Sequence, residues 1–158
     1  MTQHNFNLEP GSHAGGLDEE ALSEIWDHLY DDDSADPVLP EFDDETLKFF
    51  QLVNGAVPQN ANADGIRIVR FLNFCNDYDP SNAKIADWHI VRNRRWIADR
   101  LDPFVIPIAE LAHGDYLCLD FSTDGAPRVL RWIHEESRPG HPAYAPVAPD
   151  LRTFLAGI

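Results

Sequence analysis

The residue order predicts a single-domain α+β fold, and three observations carry that reading. Apolar residues recur at helical spacing twice in the first third of the chain, strand-like runs follow, and a Leu-rich helical segment closes it. Helices and strands are therefore not interleaved as an α/β fold requires. The stretch Ile106 to Glu136 holds two alternating runs joined by a turn, which gives an antiparallel hairpin and a mostly antiparallel sheet. Finally, 158 residues suffice to build one core without disulfides or metal.

Residues 1–16, with Pro10, Gly11, Gly15 and Gly16 and little periodicity, are expected as a flexible tail, and residues 17–158 as the domain. A first helix is predicted from Leu17 to Tyr30, because Leu17, Ala21, Leu22, Ile25, Trp26 and Leu29 form one stripe. Asp18, Glu19 and Glu20 in its first turn oppose the positive end of the helix dipole. The run Asp31-Asp32-Asp33-Ser34 ends it by charge repulsion, and Pro37-Val38-Leu39-Pro40 makes a stiff connector. A second helix spans Asp43 to Val53, capped by Asp43 or Asp44, with Leu47, Phe50 and Leu52 or Val53 inward and Asn54-Gly55 as its stop.

A polar loop from Gln59 to Asp64 leads to a strand, Ile66 to Leu72. Asp79-Pro80-Ser81 opens a third helical region, roughly Asn82 to Asp99, with Ile85, Trp88, His89, Arg92 and Trp96 on a shared face. Arg94, Arg95 and Arg100 make it the one basic element. Asp102-Pro103 breaks it, and Val105 to Ala109 is a short apolar segment whose Pro107 favours an edge or a strand end. His113-Gly114-Asp115 turns the chain into the hairpin. Its strands are Tyr116–Phe121 and Arg128–Ile133, joined through Thr123-Asp124-Gly125-Ala126. Residues 138–149, rich in proline, read as an irregular connection before a last helix, Asp150 to Ala156, with Leu151, Phe154 and Leu155 toward the core.

Charge is the strongest compositional signal. Residues 1–80 hold 17 acidic against 3 basic side chains, whereas residues 81–158 hold 10 against 9, so −14 of the formal charge of −15 resides in the first half. Residues 18–45 hold 13 carboxylates and no Lys or Arg. Such a surface repels nucleic acid and anionic lipid and attracts a basic protein. A solvated face serving solubility is the alternative reading. No apolar run reaches membrane-spanning length, and the first residues lack the basic and apolar regions of a secretory signal. Cys75 and Cys118 form no CxxC motif and are expected as free buried thiols. A cytoplasmic location follows from these features.

Catalytic signatures are absent: there is no GxGxxG, P-loop, HExxH or GxSxG. His113, Asp115 and Asp120, or His134, Glu135, Glu136 and His141, are the nearest approaches to a metal set, and turn or surface polarity accounts for them better. Cys118 alternates with Leu117 and Leu119, with no base nearby in sequence, and reads as a small core residue. Trp26, Trp88, Trp96 and Trp132 read as core or core-edge side chains. No catalytic residue, cofactor or metal is expected. An enzyme using Asp115, Asp120 and His134 is the minority reading, and a deep pocket lined by His134 and Asp120 is what it requires.

Four pieces in order resemble the SUKH superfamily, the group that includes bacterial immunity proteins and fungal cell-wall-assembly regulators. They are an amphipathic first helix holding Trp26; Leu39-Pro40 before a helix ending Leu52-Val53-Asn54-Gly55; Ile106-Pro107-Ile108-Ala109 followed by Gly114-Asp115 and Leu117-Cys118-Leu119-Asp120; and Val129-Leu130-Arg131-Trp132-Ile133-His134-Glu135. The Leu-rich end, Leu151 to Ile158, also fits. One departure is Ala56, where the family often has a second glycine. The resemblance implies a twisted sheet flanked by N-terminal helices on a non-catalytic binding scaffold. Bacterial members typically neutralise a toxin, often a nuclease, by direct contact. The expected function is therefore an immunity protein that binds a basic toxin domain through an acidic surface. The expected contact residues are Asp27, Tyr30, Asp31, Asp32, Asp33, Asp36, Glu41, Asp43 and Asp44. An intracellular scaffold or regulatory module without a toxin is the alternative.

Overall fold

A computed structural model describes residues 7–15, 17, 20, 42–59, 62–63, 65–74 and 87–157. Within them lie the helices α1 (Asp44–Val53), α2 (Ile90–Trp96) and α3 (Leu151–Ala156). The strands are β1 (Asn62–Ala63), β2 (Ile66–Phe71), β3 (Val105–Leu111), β4 (Tyr116–Asp120), β5 (Arg128–Trp132) and β6 (Tyr144–Ala148). The strands stand side by side in chain order, every neighbouring pair antiparallel, which makes the sheet a meander within the α+β class that the sequence predicts. The expected first helix (beyond Leu17 and Glu20), the Pro37–Pro40 connector, Cys75 and the opening of the third helical region lie outside the described residues, as does Trp26.

Alternation assigns the two faces of the sheet. In the β4–β5 register Leu117 and Leu119 stand opposite Arg131 and Val129, while Tyr116, Cys118 and Asp120 stand opposite Trp132, Leu130 and Arg128. Leu117, Leu119 and Val129 enter the larger core with Phe71, Ile106 and Ile108, where Phe49, Phe50 and Val53 of α1 and Leu151 and Phe154 of α3 meet them. The rings of Phe49 and Phe71, and of Phe50 and Phe74, pack edge to face at 5.6 and 4.6 Å between centroids. Each fully buried ring stabilises by about 2 kcal/mol relative to exposure. Cys118 and Trp132 fill a smaller core on the opposite face with Val105, Ile97 and Leu101, the last two supplied by the chain that leaves α2. Trp132 is fully buried, and its Nε1 donates to the Arg100 carbonyl at 2.8 Å.

Local chemistry sets the boundaries. Asp43 caps α1, its Oδ1 accepting from the Thr46 N–H at 2.8 Å and the Thr46 hydroxyl at 2.5 Å. Inward residues of α1 are Thr46, Phe49, Phe50 and Val53, with Leu47 partly buried against the core and Leu52 exposed. Gly55 ends the turn after α1 with φ +69°, and a Cβ there would stand 3.0 Å from the Cβ atoms of Ala14 and Asn73. Ala56, where a second glycine was the family pattern, is fully buried and donates its N–H to the Val53 carbonyl. Residues 7–15, expected as part of a flexible tail, bond to this corner. Glu9 N–H meets the Val57 carbonyl, Ala14 N–H the Asn54 carbonyl, and Asn54 Nδ2 the Gly15 carbonyl.

Three expectations need correction. Pro107 lies in a central strand, not an edge, because β3 shifts register between Pro107 and Ala109 and a bulge tolerates the missing donor. The proline-rich connection contains β6, which pairs with β5 as the edge strand of the sheet, where Pro146 is tolerated. In the described part of the third predicted helical region the helix, α2, begins at Ile90, with His89 as its cap, and buries Ile90, Val91, Asn93 and Arg94. Trp96, expected inward, is 71% exposed.

Candidate functional site

Of the predicted contact residues, Asp27, Tyr30, Asp31, Asp32, Asp33, Asp36 and Glu41 lie outside the described residues. Asp43 and Asp44 are described, and both side chains are exposed at the start of α1. One oxygen of Asp43, Oδ1, is committed to capping. Next along the chain, Glu45 accepts from Arg152 Nε of α3 at 2.7 Å, so its charge is locally balanced. The pair joins α1 to α3 at the surface. Acidic side chains crowded at a helix N-terminus are tolerated because the unpaired N–H groups there carry partial positive charge.

The residues of the minority enzymatic reading are occupied elsewhere. Asp115 is buried and accepts from Arg131 Nε at 2.8 Å, from Arg131 Nη2 at 2.5 Å, and from the His134 N–H at 2.9 Å. Asp120 is buried and accepts from Arg128 across the hairpin and from the Ser122 N–H. Burial by itself raises the Asp120 carboxyl, but the Ser122 bonds and the Arg128 guanidinium hold it below the usual carboxylate range. The two carboxylates thus clamp the two ends of the β4–β5 pair. His134 lays its exposed ring beside Trp132 and Gly114. Burial pushes the Cys118 thiol far above its ordinary range, which removes the thiolate a nucleophile needs. Among the described residues no group of three or more His, Cys, Asp or Glu is placed to hold a metal ion. A groove of about 490 Å³ is lined by Glu9, Ser12, His13, Gly55, Arg70 and Asn73, far in sequence from Asp120 and His134 and containing neither.

Of the pieces that carried the sequence resemblance, the Asn54-Gly55 exit of α1, the bulged Pro107 strand and the Trp132 strand of the hairpin are described, while the Trp26 helix and Leu39-Pro40 lie outside the described residues. The model of the SMI1 / KNR4 family (SUKH-1) matches residues 39–157. The chain belongs to this family. The match covers the whole SUKH-1 sheet and all three described helices, and it leaves residues 1–38 outside. No curated protein and no solved structure matches the chain. Among the described residues, no helix of this SUKH-1 domain is long and apolar enough to cross a membrane.

Sequence reasoning missed the outward placement of Trp96. The signal was present: from a helix begun at Ile90, positions 90, 91, 94 and 97 share the inner face, which puts Trp96 outside. It also missed Arg70, whose guanidinium lies 4.7 Å over the Trp88 ring while its Nε donates to the Gly55 carbonyl.

Proposed function

We propose that this SUKH-1 protein is a non-catalytic binding domain, an immunity protein that neutralises a cognate toxin by direct contact through its acidic first half. The carrying observation is the stretch of 13 carboxylates without Lys or Arg over residues 18–45, in a chain of this family. Its described end, Asp43 and Asp44, is exposed. A basic nuclease domain fits best, because carboxylates set where substrate phosphates bind block the site and speed encounter. The engagement of Asp115 and Asp120 by arginines supports the non-catalytic half of the reading.

Co-expression with toxin genes encoded beside this one is the test. Protection of growth by the full chain, lost when Asp31, Asp32 and Asp33 are all replaced by alanine, is the expected result. Failure to protect against each such toxin removes the immunity reading and leaves the scaffold or regulatory module.

A further inference from the structure

The groove of about 490 Å³ beside the α1 exit brings together two opposite charges that do not pair. Residues 7–15 contribute the turn Glu9-Pro10-Gly11-Ser12, closed by the Ser12 N–H on the Glu9 carbonyl at 3.1 Å. Proline followed by glycine at φ +74° is the type II pattern, so Glu9 is held at a defined corner. The sheet contributes Arg70 of β2. Ser12 and His13 between them are committed within the chain. The Ser12 hydroxyl donates to the Glu9 carbonyl and accepts from the Val57 N–H. His13 Nδ1 accepts from the Gly15 N–H, and its Nε2 meets the Gln51 carbonyl at 3.0 Å.

Arg70 is oriented but not satisfied. Its Nε donates to the Gly55 carbonyl at 3.0 Å, and its guanidinium carbon lies 4.7 Å over the Trp88 ring. Trp88 is fixed in turn, its Nε1 donating to Glu110 at 3.2 Å. Among the described residues Nη1 and Nη2 of Arg70 have no partner, and neither has the exposed Glu9 carboxylate. Two parallel donors on a fixed guanidinium match the two oxygens of a carboxylate. Glu110 stands opposite Arg70 in the β2–β3 register and is a second carboxylate near the fork. One cation against two carboxylates opposes a purely anionic ligand and favours one that also carries a positive charge.

The geometry points to a site for a small zwitterion of the amino-acid type, its carboxylate on the Arg70 fork and its ammonium toward Glu9. A groove of this volume has room for an amino acid together with its side chain. Both anchoring residues lie outside residues 18–45, so the inference stands independently of the toxin reading.

Titration of the isotope-labelled full chain with L-alanine and L-lysine, followed by nuclear magnetic resonance, decides it. Acetate and ethylamine serve as single-charge controls. Both amino acids are expected to shift the Arg70 Nε–H and the amides of Gly11 to Ala14, with a Kd of about 1 mM or tighter. Each control is expected to bind at least about tenfold more weakly. Glu9→Gln, at an exposed turn, is expected to reduce alanine to the level of acetate. Arg70→Lys keeps the charge, loses the fork and is expected to remove the alanine response, with spectral dispersion reporting that the variant folds. No shift with either amino acid up to about 50 mM overturns the proposal. So does an equal response to acetate, or an alanine preference that Glu9→Gln or a folded Arg70→Lys leaves unchanged.

Discussion

At the scale of single residues, the hairpin carboxylates do the most local work. Asp115 ties Arg131 and the His134 N–H to the entrance of β4. Asp115→Ala leaves the part-buried His134 N–H and the Arg131 guanidinium without their acceptor and is expected to lower stability by about 1–3 kcal/mol in urea titrations. Asp120 makes a pH-dependent contribution. Its folded carboxyl titrates below the unfolded one, so its stabilisation is complete above about pH 4 and disappears as pH falls through the folded value. Wild type should therefore exceed Asp120→Asn in urea midpoint at neutral pH and converge with it in strong acid. An advantage that persists in strong acid would contradict that linkage. Cys118 offers a third check: buried and held protonated, it should resist iodoacetamide in the native state and react only on unfolding, as read by peptide mass spectrometry.

At the scale of elements, the corner after α1 concentrates the constraints. Gly55→Ala combines a disfavoured φ of +69° with close approach to Ala14 and Asn73. It is expected to cost about 1–3 kcal/mol by thermal or chemical denaturation. The same corner shows what could be read in advance. The Asp43 cap, the Asn54-Gly55 stop and strands β2, β4 and β5 were legible because alternation and cap chemistry are local. Strand β6 was hidden by its proline, since Pro146 is admissible only where the strand lies at an edge, and edge position is a tertiary fact. Pro107 misled for the complementary reason: a bulge, invisible in sequence, let it sit centrally. Trp96 was misplaced because the helix was begun too early, which rotated its inner face onto the wrong residues. The acidic character of the candidate site was plain in the sequence. The outward placement of Asp43 and Asp44 was not, because exposed like charges carry no periodic signature.

At the scale of the whole molecule, charge is divided between an acidic first half and a nearly balanced second half. Binding driven by that division is expected to depend strongly on ionic strength. Replacing Asp31, Asp32 and Asp33 with alanine should weaken the proposed toxin complex more at low salt than at high salt, as read by calorimetry. Equal affinity of both proteins would mark that run as solubilising surface only. The sheet itself is finished at both ends. One end is the two-residue β1, and the other is β6 with Pro146 in its middle, where a backbone donor is missing. Neither rim offers an intact ladder to another strand. Concentrated protein should accordingly resist growing into ribbons or amyloid-like fibrils.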